Sequence, residues 1–210
     1  MKIRIVLLLA LTACALPACS SPADDLDDPS GSAATSDELV STGGCKYELA
    51  ETILSGTLPP LHELRVVRTA CPTPGSFRVT AAYAIGERRL VPMTRDRAGR
   101  DRLLVLYKEK ASPSGSALFT LNISQIDDGL TGKVVRRAEP WVGGFEPKYY
   151  PLAVPLTELH PEVTATGHLH LWGTGAFPGS TGKGARFYAT WIGFTTRRAG
   201  TWAADEAVQE

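Results

Sequence analysis

Leu103-Leu104-Val105-Leu106-Tyr107 is the stretch on which the fold turns. Five consecutive apolar residues leave no polar face, so as a strand this segment is covered on both sides and belongs inside a sheet. A charged run precedes it, Arg95-Asp96-Arg97-Ala98-Gly99-Arg100-Asp101-Arg102, which reads as an exposed loop. Ser112-Pro113-Ser114-Gly115-Ser116 breaks the chain after it. Further out, residues 78–85 alternate at period two and place Val79, Ala81, Tyr83 and Ile85 on one face. Gly86-Glu87 then reads as a two-residue turn into a second strand over 88–93. On the other side, Phe119, Leu121 and Ile123 alternate with Thr120, Asn122 and Ser124, and Asp127-Asp128-Gly129 turns the chain into a strand over 133–137.

Residues 138–162 carry Pro140, Pro147, Pro151, Pro155 and Pro161. Proline lacks the donor that an inner strand needs, so this region reads as extended loop or short edge strand. Residues 164–172 and 185–196 are two more strands, separated by a Gly-rich loop over 173–184. Residues 47–54 fit a short helix or a strand equally well. Eight or nine short strands with frequent turns predict an all-β, antiparallel β-sandwich, with a lipocalin-like β-barrel as the alternative. The 210-residue chain is 43% hydrophobic, which excludes wholesale disorder, and its 4 cysteines are too few for a disulfide-built mini-protein.

The N-terminus reads as an address. Lys2 and Arg4 precede an almost wholly apolar run over residues 5–16. As a helix of about 18 Å it is too short to cross a hydrocarbon core of about 30 Å. A basic start, a short apolar centre and small residues beyond it form a secretory signal. Its end, Leu16-Pro17-Ala18-Cys19, resembles the lipobox of bacterial lipoproteins, in which an aliphatic and two small residues precede the lipid-bearing cysteine. Leu11-Thr12-Ala13-Cys14 fits the same four-residue pattern but leaves an apolar centre of about seven residues. The resemblance implies cleavage after residue 18 and acylation of Cys19, with Cys14 as the alternative. It also implies export to the cell envelope, and Ser20 after the cysteine points to the outer membrane if the cell is Gram-negative. The organisation expected is a signal peptide over 1–18, a lipidated cysteine and acidic linker over 19–44, and one β-rich domain over 45–210.

Residues 20–44 hold six acids, no base and no aromatic residue, too little apolar surface to offset the entropy of ordering. Setting aside the two bases of the signal and these six acids leaves 20 bases against 16 acids in the domain. The excess is scattered along the expected strands, with no basic run interleaved with aromatics, so no nucleic-acid partner is expected. Cys45 and Cys71 remain in an oxidising compartment and are expected to pair.

No motif names a reaction. The loop Pro178-Gly179-Ser180-Thr181-Gly182-Lys183-Gly184 fails the phosphate-loop pattern, because Phe177 stands where its first glycine belongs and Gly184 follows the lysine. The Gly-x-Ser-x-Gly elbow of hydrolases is missing. In His168-Leu169-His170 both imidazoles share one strand face, and two such rings with His160, Glu158 or Glu162 would suit zinc. Alternation with Leu169 and Leu171 fits a solvent-facing pair equally, so these remain weak metal candidates and no cofactor is expected. Trp141, Phe145, Tyr149 and Tyr150, in the Pro-rich connection, are the candidate binding residues. The function expected is a lipid-anchored envelope protein whose non-enzymatic β domain binds a protein or polysaccharide. The alternatives are an envelope hydrolase using a His-based metal site or paired carboxylates, and a lipocalin-like carrier of a small apolar ligand.

Overall fold

The computed structural model describes residues 38–41, 43–71, 73–114, 119–127, 133–142, 155–174 and 186–209. Among them are thirteen strands in three sheets, none closed into a barrel, and the architecture is an all-β sandwich. The first sheet takes β1 (Glu38–Val40), β2 (Lys46–Leu54), β3 (Leu61–Ala70) and β4 (Gly75–Ala82), in that order. The middle sheet contains β5 (Ala84–Met93), β6 (Arg102–Lys110), β7 (Thr120–Asp127), β8 (Lys133–Val142) and β12 (Gly200–Ala204). The third runs β13 (Glu206–Gln209), β11 (Arg186–Trp191), β10 (Leu169–Thr174), β9 (His160–Val163).

The middle sheet is covered on both faces. Leu103, Val105 and Tyr107 of β6 pack with Tyr47, Leu64, Val66, Phe77 and Val79 of the first sheet. Leu104 and Leu106 point the other way and pack with Leu169, Leu171, Ala189 and Trp191 of the third. Two hydrophobic cores therefore share one strand, which is why its sequence lacks a polar alternation. Two 3₁₀ turns close the second core. Leu156–Glu158 inserts Leu156, and Phe194–Thr196 inserts Phe194.

Several local expectations change. Gly86-Glu87 is not a hairpin turn. It lies within β5 as an irregularity between Ile85 and Arg88, and the chain changes sheet at Tyr83, so β4 pairs with β3 while β5 pairs with β6. Residues 47–54 are strand. The folded domain begins before residue 45, because β1 pairs with β2 and Ser41 is buried. The strand expected over 164–172 starts only at Leu169, after a turn over 164–167. The strand count rises because β1, β12 and β13 are too short to carry a readable alternation. β12 pairs with β8 in parallel, the exception to antiparallel pairing. The β7–β8 hairpin and the short edge strand β9, which holds Pro161, match the sequence reading, but β8 runs on through Pro140 to Val142 between β7 and β12, whereas residues 138–142 read in the sequence as loop or edge strand.

Cys45 and Cys71 form a disulfide with Cα atoms 5.2 Å apart, tying the start of β2 to the end of β3. Between the first and middle sheets the core is interrupted by a polar cluster. Arg137 donates to Thr80 Oγ1 at 2.9 Å and pairs with Glu109 at 3.2 Å, and its guanidinium lies 5.5 Å from the centroid of the Tyr107 ring. Asn122 donates to Glu109 at 3.2 Å, and the Tyr107 and Ser124 hydroxyls are 3.2 Å apart. Each member meets a partner, as buried polar groups require.

Candidate functional site

The three histidines singled out in the sequence converge on the third sheet. Leu169 and Leu171 of β10, with Ala189 and Trp191 of β11, are fully buried against the middle sheet. Alternation therefore turns His170 and Trp172 of β10, and Tyr188 and Thr190 of β11, to the opposite face. The antiparallel register sets His160, Trp172, Tyr188 and Val208 in one row, and Glu162, His170, Thr190 and Glu206 in the next, both across four strands. Trp172 and Tyr188 are 39% and 37% exposed, large apolar rings left outside either core.

The rings are propped by their neighbours. The His160 imidazole stacks on the Trp172 indole with centroids 5.8 Å apart and planes 25° apart. The His170 ring stacks on Tyr188 at 5.6 Å and 24°. His170 Nδ1 also shares a hydrogen bond with the Tyr188 hydroxyl and lies 3.2 Å from Thr190 Oγ1. These contacts limit ring rotation at a surface where free side chains would lose entropy on meeting a ligand.

His168 stands just before β10, edge-on to His170 with centroids 6.4 Å apart. The Gly193 N–H donates to its Nδ1 at 2.7 Å, which places the proton of the neutral ring on Nε2. This bond joins the turn over 164–167 to the 3₁₀ turn after β11. Thr195 N–H donates to the Gly167 carbonyl at 3.0 Å beside it. Gly167 has φ of +83°, and a Cβ there would strike the Thr195 hydroxyl, so only glycine serves. His168 is thus a fastener of the sheet end.

As a metal centre the arrangement is poor. His168 and His170 commit Nδ1 to internal partners, and His160 stacks on Trp172. Among the described residues no group of three His, Cys, Asp or Glu side chains could hold a metal ion. Glu109 and His62 meet partners elsewhere in the fold. Glu109 lies in the Arg137 cluster, and His62 Nδ1 meets Glu51 Oε1 at 2.6 Å on the first sheet. The arrangement on the third sheet offers aromatic rings and hydrogen-bonding groups to a ligand lying across it, and the hydroxyls that meet His170 Nδ1 belong to Tyr188 and to Thr190, which is itself buried.

Trp141 ends β8 one residue before its last, and its side chain lies outside the described residues, as do Phe145, Tyr149 and Tyr150 entirely. Cys14, Cys19 and residues 1–37 also lie outside them, and so does the loop over 175–185. The sequence reading placed its candidate binding residues in the Pro-rich connection and did not single out Trp172 or Tyr188. The signal that separates them was present: Trp172 is one residue from buried Leu171, and Tyr188 is three from buried Trp191. At period two both point away from the core. No protein-family model matches the chain, and no curated protein or solved structure is significantly similar to it.

Proposed function

We propose that the protein is a lipid-anchored cell-envelope binding protein, non-enzymatic, which engages its ligand on the outer face of the β9-β10-β11-β13 sheet. The observation that carries this reading is the pair of exposed rings, Trp172 and Tyr188, each stacked on an imidazole. Large aromatic side chains held rigid at a surface are the residues from which binding energy is most readily obtained. The anchor rests on the lipobox resemblance at Leu16-Pro17-Ala18-Cys19. Acyl chains on Cys19 hold the molecule at about 0.8 kcal/mol per buried CH₂, and the polypeptide then needs no membrane-facing surface of its own. The acidic segment that follows spaces the β domain from the bilayer.

Two measurements test the two halves. Mass spectrometry of the mature chain is expected to find an acylated Cys19 at the N-terminus, and Cys19→Ser is expected to accumulate as an unprocessed or soluble form. A mature chain in which neither Cys14 nor Cys19 is acylated removes the anchor. For the site, the full chain, kept in detergent so that its acyl chains are occupied, is expected to sediment with detergent-extracted, lipid-free envelope fragments of the producing cell. The Trp172→Ala/Tyr188→Ala double variant, with an unchanged unfolding midpoint, is expected to stay in solution. Equal sedimentation of both removes the site.

A further inference from the structure

From the chemistry of that same face we infer that its ligand is an uncharged polysaccharide. The inference rests on the proposed binding site and adds the class of ligand. Three features of the face point to it.

The first is the kind of apolar surface offered. Among the described outward side chains of β9, β10 and β11 the large apolar groups are the indole and phenol rings, while Val208 of β13 is the register partner of Tyr188 and Ile192 lies exposed just beyond β11. A protein partner rewards aliphatic knobs and pockets as well as aromatics. A pyranose ring instead presents a flat patch of C–H bonds that packs on an aromatic π-face.

The second is the company the rings keep. Glu162 and Glu206 lie exposed at the two ends of the row beside the aromatic one, and Thr190 stands between them. Carboxylates and hydroxyls beside an aromatic platform accept hydrogen bonds from sugar hydroxyls while the ring covers the apolar sugar face.

The third is charge. Glu162 and Glu206 make the flanking row acidic, and Arg186, at the far end of β11 opposite Thr174, is the sole cation among the outward side chains described on β9, β10 and β11. An anionic polymer would meet two carboxylates, and a charged glycan is disfavoured on that account. Cross-strand rows in a sheet repeat at about 4.8 Å, and His160, Trp172 and Tyr188 span three strands. The row is therefore about 10 Å long between outer strands, enough to seat two sugar units of an extended chain.

The test uses the detergent-purified full chain in native affinity gels containing soluble cellulose or chitin derivatives, and titration calorimetry with the matching oligosaccharides. Saturable binding to at least one is expected. Trp172→Ala and Tyr188→Ala should each weaken it about tenfold or more, since loss of one stacked ring corresponds to about one decade in affinity. Trp172→Phe should retain most of it, and Ile53→Ala, an exposed apolar change on the first sheet, should leave it unchanged. Absence of binding to every uncharged glycan overturns the inference. Detergent-extracted, lipid-free envelope fragments, which the acyl chains cannot enter, separate this failure from failure of the site once treated. Trp172-dependent sedimentation that survives protease and is lost after periodate supports a glycan. Sedimentation lost after protease and indifferent to periodate overturns the glycan and keeps the face as a binding site. Sedimentation indifferent to Trp172, or no sedimentation, overturns both.

Discussion

Asp101 is among the most buried carboxylates of the described domain, at 3% exposure, and shows how single residues fasten its edge. Burial alone would raise its pKa. The Ser41 hydroxyl at 2.6 Å, the Arg95 guanidinium at 3.0 Å and the Tyr47 hydroxyl at 3.3 Å outweigh burial and hold it below the usual carboxylate value. A folded-state pKa below the unfolded one gives stability that is complete above the unfolded value of about 4 and is lost as pH falls through the folded value. Asp101→Asn is therefore expected to cost about 1–3 kcal/mol at neutral pH. Urea unfolding across the acid range should show that deficit shrinking once the wild-type carboxyl takes up its proton. Tyr107 carries the opposite sign. Burial, with a further push from Glu109, raises its phenol to about 12 against the pull of Arg137 and Ser124. Its contribution is complete below the unfolded value of about 10 and declines as pH rises through about 12. Phenolate absorbance should then report one tyrosine that ionises only with unfolding, and Tyr107→Phe should abolish that late step. Asp101 read as part of an exposed charged loop in the sequence. Its partners Ser41 and Tyr47 lie 60 and 54 residues away, and no local pattern discloses such a meeting.

Among elements, β6 carries the most structural consequence. Leu104 faces one core and Val105 the other, at 1% and 0% exposure. Leu104→Ala is expected to cost about 2–5 kcal/mol, and Val105→Ala somewhat less because fewer methyl groups are removed. Both should lower the urea midpoint, whereas a strand at the surface of a two-layer sandwich would tolerate one of the two. If either substitution is neutral, that face of β6 is not buried. The burial of β6 was legible because an unbroken apolar run has no other comfortable place in an all-β chain. Its neighbours were legible in type and wrong in connection. The alternation over 78–85 marks extended chain correctly, but nothing local tells a turn at Gly86-Glu87 from an irregularity within β5. That choice depends on whether the strand finds β3 or β6 beside it. The outward pair Trp172 and Tyr188 was readable from parity alone, once Leu171 and Trp191 are taken as core.

For the molecule as a whole, the Cys45–Cys71 bond closes a loop of 26 residues around β2 and β3. The double variant Cys45→Ser/Cys71→Ser is expected to lose about 3–4 kcal/mol in the chain-entropy picture, seen as a lower unfolding midpoint that reductant no longer affects. A midpoint equal to that of the oxidised parent would mean the bond contributes nothing to folding. The pairing could be read from the expected compartment and the cysteine count, and the strand-rich class from period-two alternation. These are local or compositional properties, set by each segment's own side chains and by the solvent around them. The three-layer stack, the parallel placement of β12 against β8 and the row His160–Trp172–Tyr188 were decided by tertiary structure. Which strands lie side by side depends on how two cores are filled at once, and that is a property of the assembled sheets that no single strand carries in its sequence.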